Sequence, residues 1–170
     1  MTNETKGGQG MYKNGMYGGK FMPFHKGHFM CVQLAAQECE TLHVILCYGG
    51  VQEEQILKEM PVDWLQWKAR FERVKAACAE LPNVVVHAID VTHCRNPDGT
   101  ENWDMETPLI LEACGKLDAV YGSEPSYAPY YARAYPGAEY RMVDVERTIV
   151  PISGTAIRNM SKEEREKWAM

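Results

Sequence analysis

Leu42-His43-Val44-Ile45-Leu46-Cys47 is a short apolar run rich in strand formers, ended by Tyr48, Gly49 and Gly50. Such an unbroken apolar run is typical of a strand buried on both faces, as in a parallel sheet covered by helices. Upstream, Met16–Gly19 reads as a second short strand, leading through a Pro-containing turn into a helix over His25–Glu38. Downstream, Pro61 and Asp63 open a helix in which Trp64, Trp67, Phe71, Val74, Cys78 and Leu81 form one apolar stripe at spacings of three and four. Val84–Ile89 reads as a strand, followed by a polar loop around Asn96-Pro97-Asp98-Gly99 and a helix over Thr107–Cys114. A strand at Leu117–Tyr121, a helix at Ser126–Tyr135 and a strand at Tyr140–Val143 continue the alternation. Two helical segments begin near Ser153 and Ser161, the second with a Ser161/Glu164 capping box. Strands separated by helices require crossover connections. The expected fold is therefore one α/β, doubly wound, Rossmann-like domain with a mainly parallel five-stranded sheet. Residues 1–14, Gly-rich and polar, are expected to form a flexible tail, and residues 15–170 the domain.

The 170 residues are 45% hydrophobic and 24% charged, which fits a globular chain and excludes collagen-like and disordered classes. The longest stretch without Asp, Glu, Lys or Arg is Thr41–Gln52, twelve residues. A membrane-spanning helix needs about 20, so none is expected. MTNETKGGQG at the start has no apolar core, so no signal peptide is expected and the location is read as cytoplasmic. With 18 Lys and Arg against 23 Asp and Glu, the net charge of −5 argues against a general nucleic-acid surface. The six cysteines contain no CxxC pair and are read as buried, reduced thiols. His43 is read as a satisfied interior histidine, and Tyr127, Tyr130 and Tyr131 as packing a helix. Trp64 and Trp67 are assigned to the core. His87, His93 and Cys94 are set aside as metal ligands because no CxxC or HxxxH accompanies them, so no protein metal site is expected.

In doubly wound folds, ligands bind beyond the carboxyl ends of the strands, which directs attention to the segments following them. Gly19-Lys20-Phe21-Met22-Pro23-Phe24-His25-Lys26-Gly27-His28 joins a strand end to a helix start. Gly18 and Gly19 allow close approach of a ligand to the backbone, and Pro23 stiffens the turn. His25 and His28, three apart, would share a helix face beside free N–H groups and the positive end of the helix dipole, with Lys20 just upstream. That collection suits a polyphosphate.

The segment closely resembles the G-x-F-x-P-x-H-x-G-H signature of the nucleotidylyltransferase superfamily. A second motif of that superfamily, I-S-x-T-x-x-R, appears as Ile152-Ser153-Gly154-Thr155-Ala156-Ile157-Arg158. Val120-Tyr121-Gly122-Ser123-Glu124-Pro125 and Val143-Asp144-Val145-Glu146-Arg147-Thr148 resemble the adenylyltransferase domain of bifunctional NMN adenylyltransferase/ribosylnicotinamide kinase proteins. Met60-Pro61 and Pro97-x-Gly99 upstream of Trp103 add to the likeness, which covers residues 15–168. GxxxxGK[ST] is absent, so no kinase activity is expected of these residues. Relatives usually carry an arginine where Trp64 follows Asp63, and Arg70 or Arg73 is considered as its substitute.

The resemblance implies adenylyl transfer from ATP to nicotinamide mononucleotide (NMN), with nicotinate mononucleotide as a second candidate acceptor. The implied partners are ATP and NMN, with no nucleic acid and no membrane; homo-oligomerisation is left open. Lys20 and His28 are expected at the α-phosphate, His25 toward the β/γ end, and Arg158 on the β/γ-phosphates, these four being the catalytic set. Gly19, Phe21, Gly27, Gly122, Ser123, Glu124, Ile152, Ser153 and Thr155 are expected to bind ATP. Gly18, Tyr48 and Trp103 are expected at the NMN, with Trp103 stacking on its ring. Mg2+ is expected to be carried by the nucleotide phosphates. Phosphopantetheine adenylyltransferase and cytidylyltransferase are the alternatives with related chemistry. A noncatalytic nucleotide sensor is the alternative of a different class, set against the retention of all four cationic residues. A class I aminoacyl-tRNA synthetase is excluded by length.

Overall fold

The computed structural model describes residues 11–146 and 149–170. Arg147 and Thr148 of the Val143–Thr148 segment, and residues 1–10 of the expected tail, lie outside the described residues. Five strands alternate with helices: β1 (Tyr12–Gly19), α1 (Lys26–Glu38), β2 (Cys39–Tyr48), α2 (Val51–Glu59), α3 (Trp67–Cys78), β3 (Val84–Asp90), α4 (Thr107–Cys114), β4 (Ala119–Gly122), α5 (Ala128–Ala134), β5 (Glu139–Met142), α6 (Gly154–Arg158) and α7 (Lys162–Trp168). All pairings are parallel and the strand order is β3-β2-β1-β4-β5. The order reverses between β1 and β4, which is where a crevice opens in folds of this kind.

β2 behaves as its composition predicts. Leu42, Val44 and Leu46 pack under α1 and α3 on one face, while Ile45 joins Met16, Ile110, Cys114 and Tyr135 on the other. Successive side chains point to opposite faces, so a strand covered twice must be apolar at both parities.

Besides shifts of one to three residues at several element ends, two boundaries and one additional helix depart from expectation. β1 begins at Tyr12, so residues 12–14 belong to the sheet rather than to a tail. Asn14 explains the extension: its amide donates to the carbonyls of Cys114 (2.7 Å) and Lys116 (2.9 Å), stitching the strand to the end of α4. The helix expected from Pro61 starts only at Trp67, after a 3-10 turn over Asp63–Leu65. Trp64 consequently leaves the stripe and lies half-buried beneath the Arg165 guanidinium, 4.2 Å from its ring. α2, which follows Gly50, has no counterpart among the expected elements.

All six cysteines are free thiols, five buried and Cys47 half-buried. His43 is satisfied as expected, bonded to His87 and Asn14. No helix among the described residues is long and apolar enough to cross a membrane.

Candidate functional site

A cleft of about 410 Å³ opens at the carboxyl end of the sheet. Gly18, Gly19, Lys20, Phe21, His25, His28, Trp103, Ser153, Thr155 and Arg158 line it, so the two sequence motifs meet on one surface.

The turn after β1 is held by aromatic packing. Phe21 adopts a left-handed backbone, φ 53°, at a cost of about 1–3 kcal/mol for such a residue. Its ring is wedged edge-on against Phe24 (5.1 Å) and His28 (4.9 Å). A Cβ on Gly19 would come within 2.9 Å of that ring, which is why the position before Lys20 carries no side chain. The Met22–Pro23 peptide is cis.

The two histidines form the cap of α1. His25 is the N-cap, and its Nδ1 accepts from the Gly27 N–H (3.0 Å) and the His28 N–H (3.4 Å). In return, His28 Nδ1 accepts from the His25 N–H at 3.2 Å. The imidazoles therefore stack, centroids 3.7 Å apart, instead of lying along a helix face. An Nδ1 that accepts has no proton, so each neutral ring carries its hydrogen on Nε2. The expectation of free N–H groups at this helix start is corrected: Gly27 and His28 spend theirs on His25. Gly27 itself does not line the cleft. A Cβ there would approach His25 Cε1 to 2.9 Å, so its role is to make room for that ring.

Arg158 closes the cradle from the other end of the chain. Its Nη1 donates to the Met22 carbonyl (2.7 Å) and its Nη2 to Thr155 Oγ1 (3.2 Å). Ser153 caps the short α6 by accepting from the Ala156 N–H at 3.1 Å. Burial lowers the pKa of Arg158, opposed by the charge of Glu59.

The opposite end of the cleft has different chemistry. The loop after β3 folds back through Arg95, whose Nη2 donates to the Gly49 carbonyl at 3.1 Å. Its returning limb delivers Glu101, Trp103 and Glu106 to the cleft, where Tyr127, Tyr130 and Tyr131 also stand. Trp103 Nε1 donates to Glu101 Oε2 (3.0 Å), and its ring meets Tyr127 and Tyr130 edge-on at 4.8 and 5.2 Å. Burial pushes the Glu106 carboxyl up to about 7, reinforced by the Glu101 charge and opposed by Lys20. Burial acts on Glu101 in the same sense, but the Trp103 hydrogen bond, Lys20 and the Gln52 and Val51 N–H groups outweigh it and hold that carboxyl below its usual range.

Several expected residues stand elsewhere. Tyr48 is stacked flat on Trp67, 4.0 Å and 6° apart, and is outside the cleft lining. Gly122, Ser123, Glu124 and Ile152 are also outside it. Ser123 Oγ donates to the Val143 carbonyl (2.6 Å), and the Glu124 carboxylate accepts from the Ser126 N–H (3.0 Å). Neither arginine of α3 replaces the one missing at Trp64. Arg70 is wholly buried in an ion pair with Glu53, whose other oxygen accepts from the Gly49 N–H (3.0 Å). Arg73 donates to the Met170 carbonyl. Glu101 and Glu106 were missed because carboxylates in a polar loop follow no periodicity; their flanking of an isolated Trp was the only available signal. The tyrosines do pack a helix, as expected, and line the cleft as well.

Among known proteins, two curated relatives are the trifunctional NAD biosynthesis/regulator protein NadR of Salmonella typhimurium and of Escherichia coli. They are 29% and 28% identical over 153 residues, 85% of this chain and 36% of each relative. A solved NadR protein in complex with NR superposes with a TM-score of 0.66 at 21% identity, covering 94% of this chain and 43% of that one. A bifunctional NMN adenylyltransferase/ADP ribose pyrophosphatase from Francisella tularensis superposes at 0.56 and 18% identity, covering 89% of this chain and 44% of that one. These structural likenesses establish the fold. The chain spans about a third of the curated relatives' length. The match to the cytidylyltransferase-like family extends over residues 16–160, enclosing both motifs that build the cationic cradle. The chain belongs to that family.

Proposed function

We propose that this protein is an adenylyltransferase that joins the AMP moiety of ATP to nicotinamide mononucleotide, giving NAD and pyrophosphate. The observation that carries the reading is the make-up of one cleft: His25, His28 and Arg158 at one end, Trp103, Glu101 and Glu106 at the other, and Lys20 near enough to both carboxyls to lower their pKa. The curated relatives, named for NAD biosynthesis, support the same direction.

In this reading an oxygen of the NMN phosphate attacks the α-phosphorus of ATP in line, and the bond from that phosphorus to the bridging oxygen of pyrophosphate breaks. The attacking group is already anionic, so no general base is required. Catalysis then rests on alignment and on neutralising charge that spreads over the transferring group. Lys20 and the Nε2–H of His28 serve the α-phosphate, His25 the β/γ side, and Arg158 with the Ser153–Thr155 turn grips the leaving pyrophosphate. The capping bonds through both Nδ1 atoms keep the imidazoles preorganised, so no reorientation is needed at the moment of reaction. The lining at this end consists of donors and hydroxyls rather than a carboxylate cage. Mg2+, which retains waters and binds few protein ligands, would therefore arrive on the triphosphate and supply charge neutralisation there.

The acceptor end fits a cationic aromatic ring. Trp103 and its tyrosine neighbours offer π-faces, and the two carboxyls favour positive charge. The nicotinamide of NMN is a pyridinium with a neutral amide, whereas nicotinate adds a carboxylate that Glu101 and Glu106 would repel. Phosphopantetheine has no such ring. Adenine is assigned to Gly122–Pro125 and Val150–Ser153 by analogy with the family; of these residues Ser153 lines the cleft.

The test is incubation of purified protein with ATP, Mg2+ and separate acceptors (NMN, nicotinate mononucleotide, phosphopantetheine), with products identified by mass. NAD formation with NMN is expected to dominate. A product only with phosphopantetheine, or only when CTP replaces ATP, would overturn the proposal.

A further inference from the structure

On the sheet face opposite α1, three potential ligands converge from three elements: His43 of β2, His87 of β3 and Cys114 at the end of α4. Their donor atoms all lie within 4.8 Å of one another, and His43 Nδ1 is 2.9 Å from His87 Nε2. His43 lies four residues before Cys47, which lines the cleft. The cluster is thus about 13 Å along the strand from the nucleotide site.

Asn14 decides which nitrogen of His43 faces the cluster. Its NH2 group is committed to the carbonyls of Cys114 and Lys116, so Oδ1 is the atom that meets His43 Nε2, at 2.8 Å. An acceptor there requires the His43 proton on Nε2, which leaves the Nδ1 lone pair directed toward His87 and Cys114. Metal-binding histidines have this arrangement: the outer nitrogen donates to an amide or carboxylate oxygen, fixing the tautomer that presents the inner one. Asn14 also ties down the backbone of Cys114, so one side chain orients two of the three ligands.

We propose that His43 Nδ1, His87 Nε2 and Cys114 Sγ form a zinc site, completed by a water. Two imidazoles and a thiolate suit a borderline-soft divalent ion, and three protein ligands with one solvent position is an established coordination pattern. Zinc bonds of about 2.0–2.1 Å to nitrogen and 2.3 Å to sulfur place tetrahedral neighbours about 3.3–3.7 Å apart. The imidazole nitrogens must therefore open slightly and the thiol swing inward. On binding, the Cys114 S–H bond breaks, a Zn–S bond forms and that proton leaves to solvent. His87 keeps its own proton, moved from Nε2 to Nδ1. One proton is released per zinc. The ion would bolt β2 and β3 to the last residue of α4, a helix that starts directly after Glu106 and carries Ile110 on the cleft wall at its middle.

The experiment strips the purified protein with a chelator and titrates it with Co2+ as probe, then with Zn2+. A cobalt–thiolate charge-transfer band saturating at one equivalent is expected, abolished by one equivalent of zinc, with one proton released per ion at neutral pH. Cys114→Ser should lose the band entirely and weaken zinc binding at least about 100-fold, with circular dichroism as a check on folding. His87→Gln, at a half-exposed position, should weaken it comparably while keeping the fold, and it carries the test if Cys114→Ser does not fold. His28→Ala should leave the stoichiometry unchanged. Absence of the band at equimolar cobalt, its survival in Cys114→Ser, or unaltered affinity in His87→Gln would overturn the proposal.

Discussion

The two ends of the cleft are built on different principles. At the phosphate end, each key side chain is pinned by the backbone beside it: His25 and His28 cap α1 reciprocally, and Arg158 is held by the Met22 carbonyl. At the acceptor end, Glu101, Trp103 and Glu106 sit on a loop and are positioned by one another and by the tyrosines of a distant helix. The first end is rigid because its polar groups are satisfied locally. The second takes its character from burial, which shifts Glu106 and brings two carboxyls close to one cation, Lys20. In the proposed function, general chemistry falls to the first end and acceptor choice to the second.

The largest effect is expected where the two ends share a foundation. Arg70→Ala removes the partner of buried Glu53, and with it the order of the Gly49–Gly50 rim. A loss of about 3–5 kcal/mol in chemical denaturation is expected for an orphaned buried carboxylate. A loss below 1 kcal/mol would mean the pair is dispensable to the scaffold.

His28→Ala should lower kcat about 10²–10³-fold with little change in the KM for the acceptor, as loss of one transition-state donor does. Steady-state kinetics with both substrates varied would check this, and unchanged turnover would remove His28 from the cradle. Trp103→Ala should do the opposite, raising the KM for NMN roughly three- to tenfold through lost stacking while leaving kcat near its original value. A change confined to thermal stability would make Trp103 a loop anchor only.

The smallest effect concerns charge. Glu106 is neutral below about pH 7 and ionised above it. The preference for NMN over nicotinate mononucleotide should therefore grow as pH rises through that value. In Glu106→Gln, the ratio of kcat/KM values should be flat across this range and lower above it by about two- to fivefold, the size of a screened charge interaction. A pH profile identical to that of the unmodified protein would shift the discrimination elsewhere.

Much of the phosphate end was legible because local rules apply to it. A strand end, a turn with Pro23 and a helix start lie within thirteen residues, and Arg158 falls inside a second short motif. Even there, the reading placed His25 in the helix when it is the cap, since nothing in the spacing distinguishes a capping imidazole from an exposed one. α2 escaped notice because Val51–Glu59 is mostly polar and has no continuous apolar stripe. Glu53 and Glu54 in its first turn and Lys58 in its last were the electrostatic hints available. Tyr48 looked like a cleft residue by its place at a strand end, yet its flat apolar ring found a better partner in Trp67.

From its residues alone the chain is committed to a parallel α/β sheet and to a capped turn that carries Lys20, His25 and His28 into the cleft, because strand burial and helix capping depend on neighbours close in sequence. Folding in three dimensions added the rest: which aromatic rings line that cleft, how two loop carboxyls share one charge, and why Asn14 turns His43 toward His87 and Cys114. Those features depend on distance and solvent exclusion between segments far apart along the chain, which no local pattern encodes.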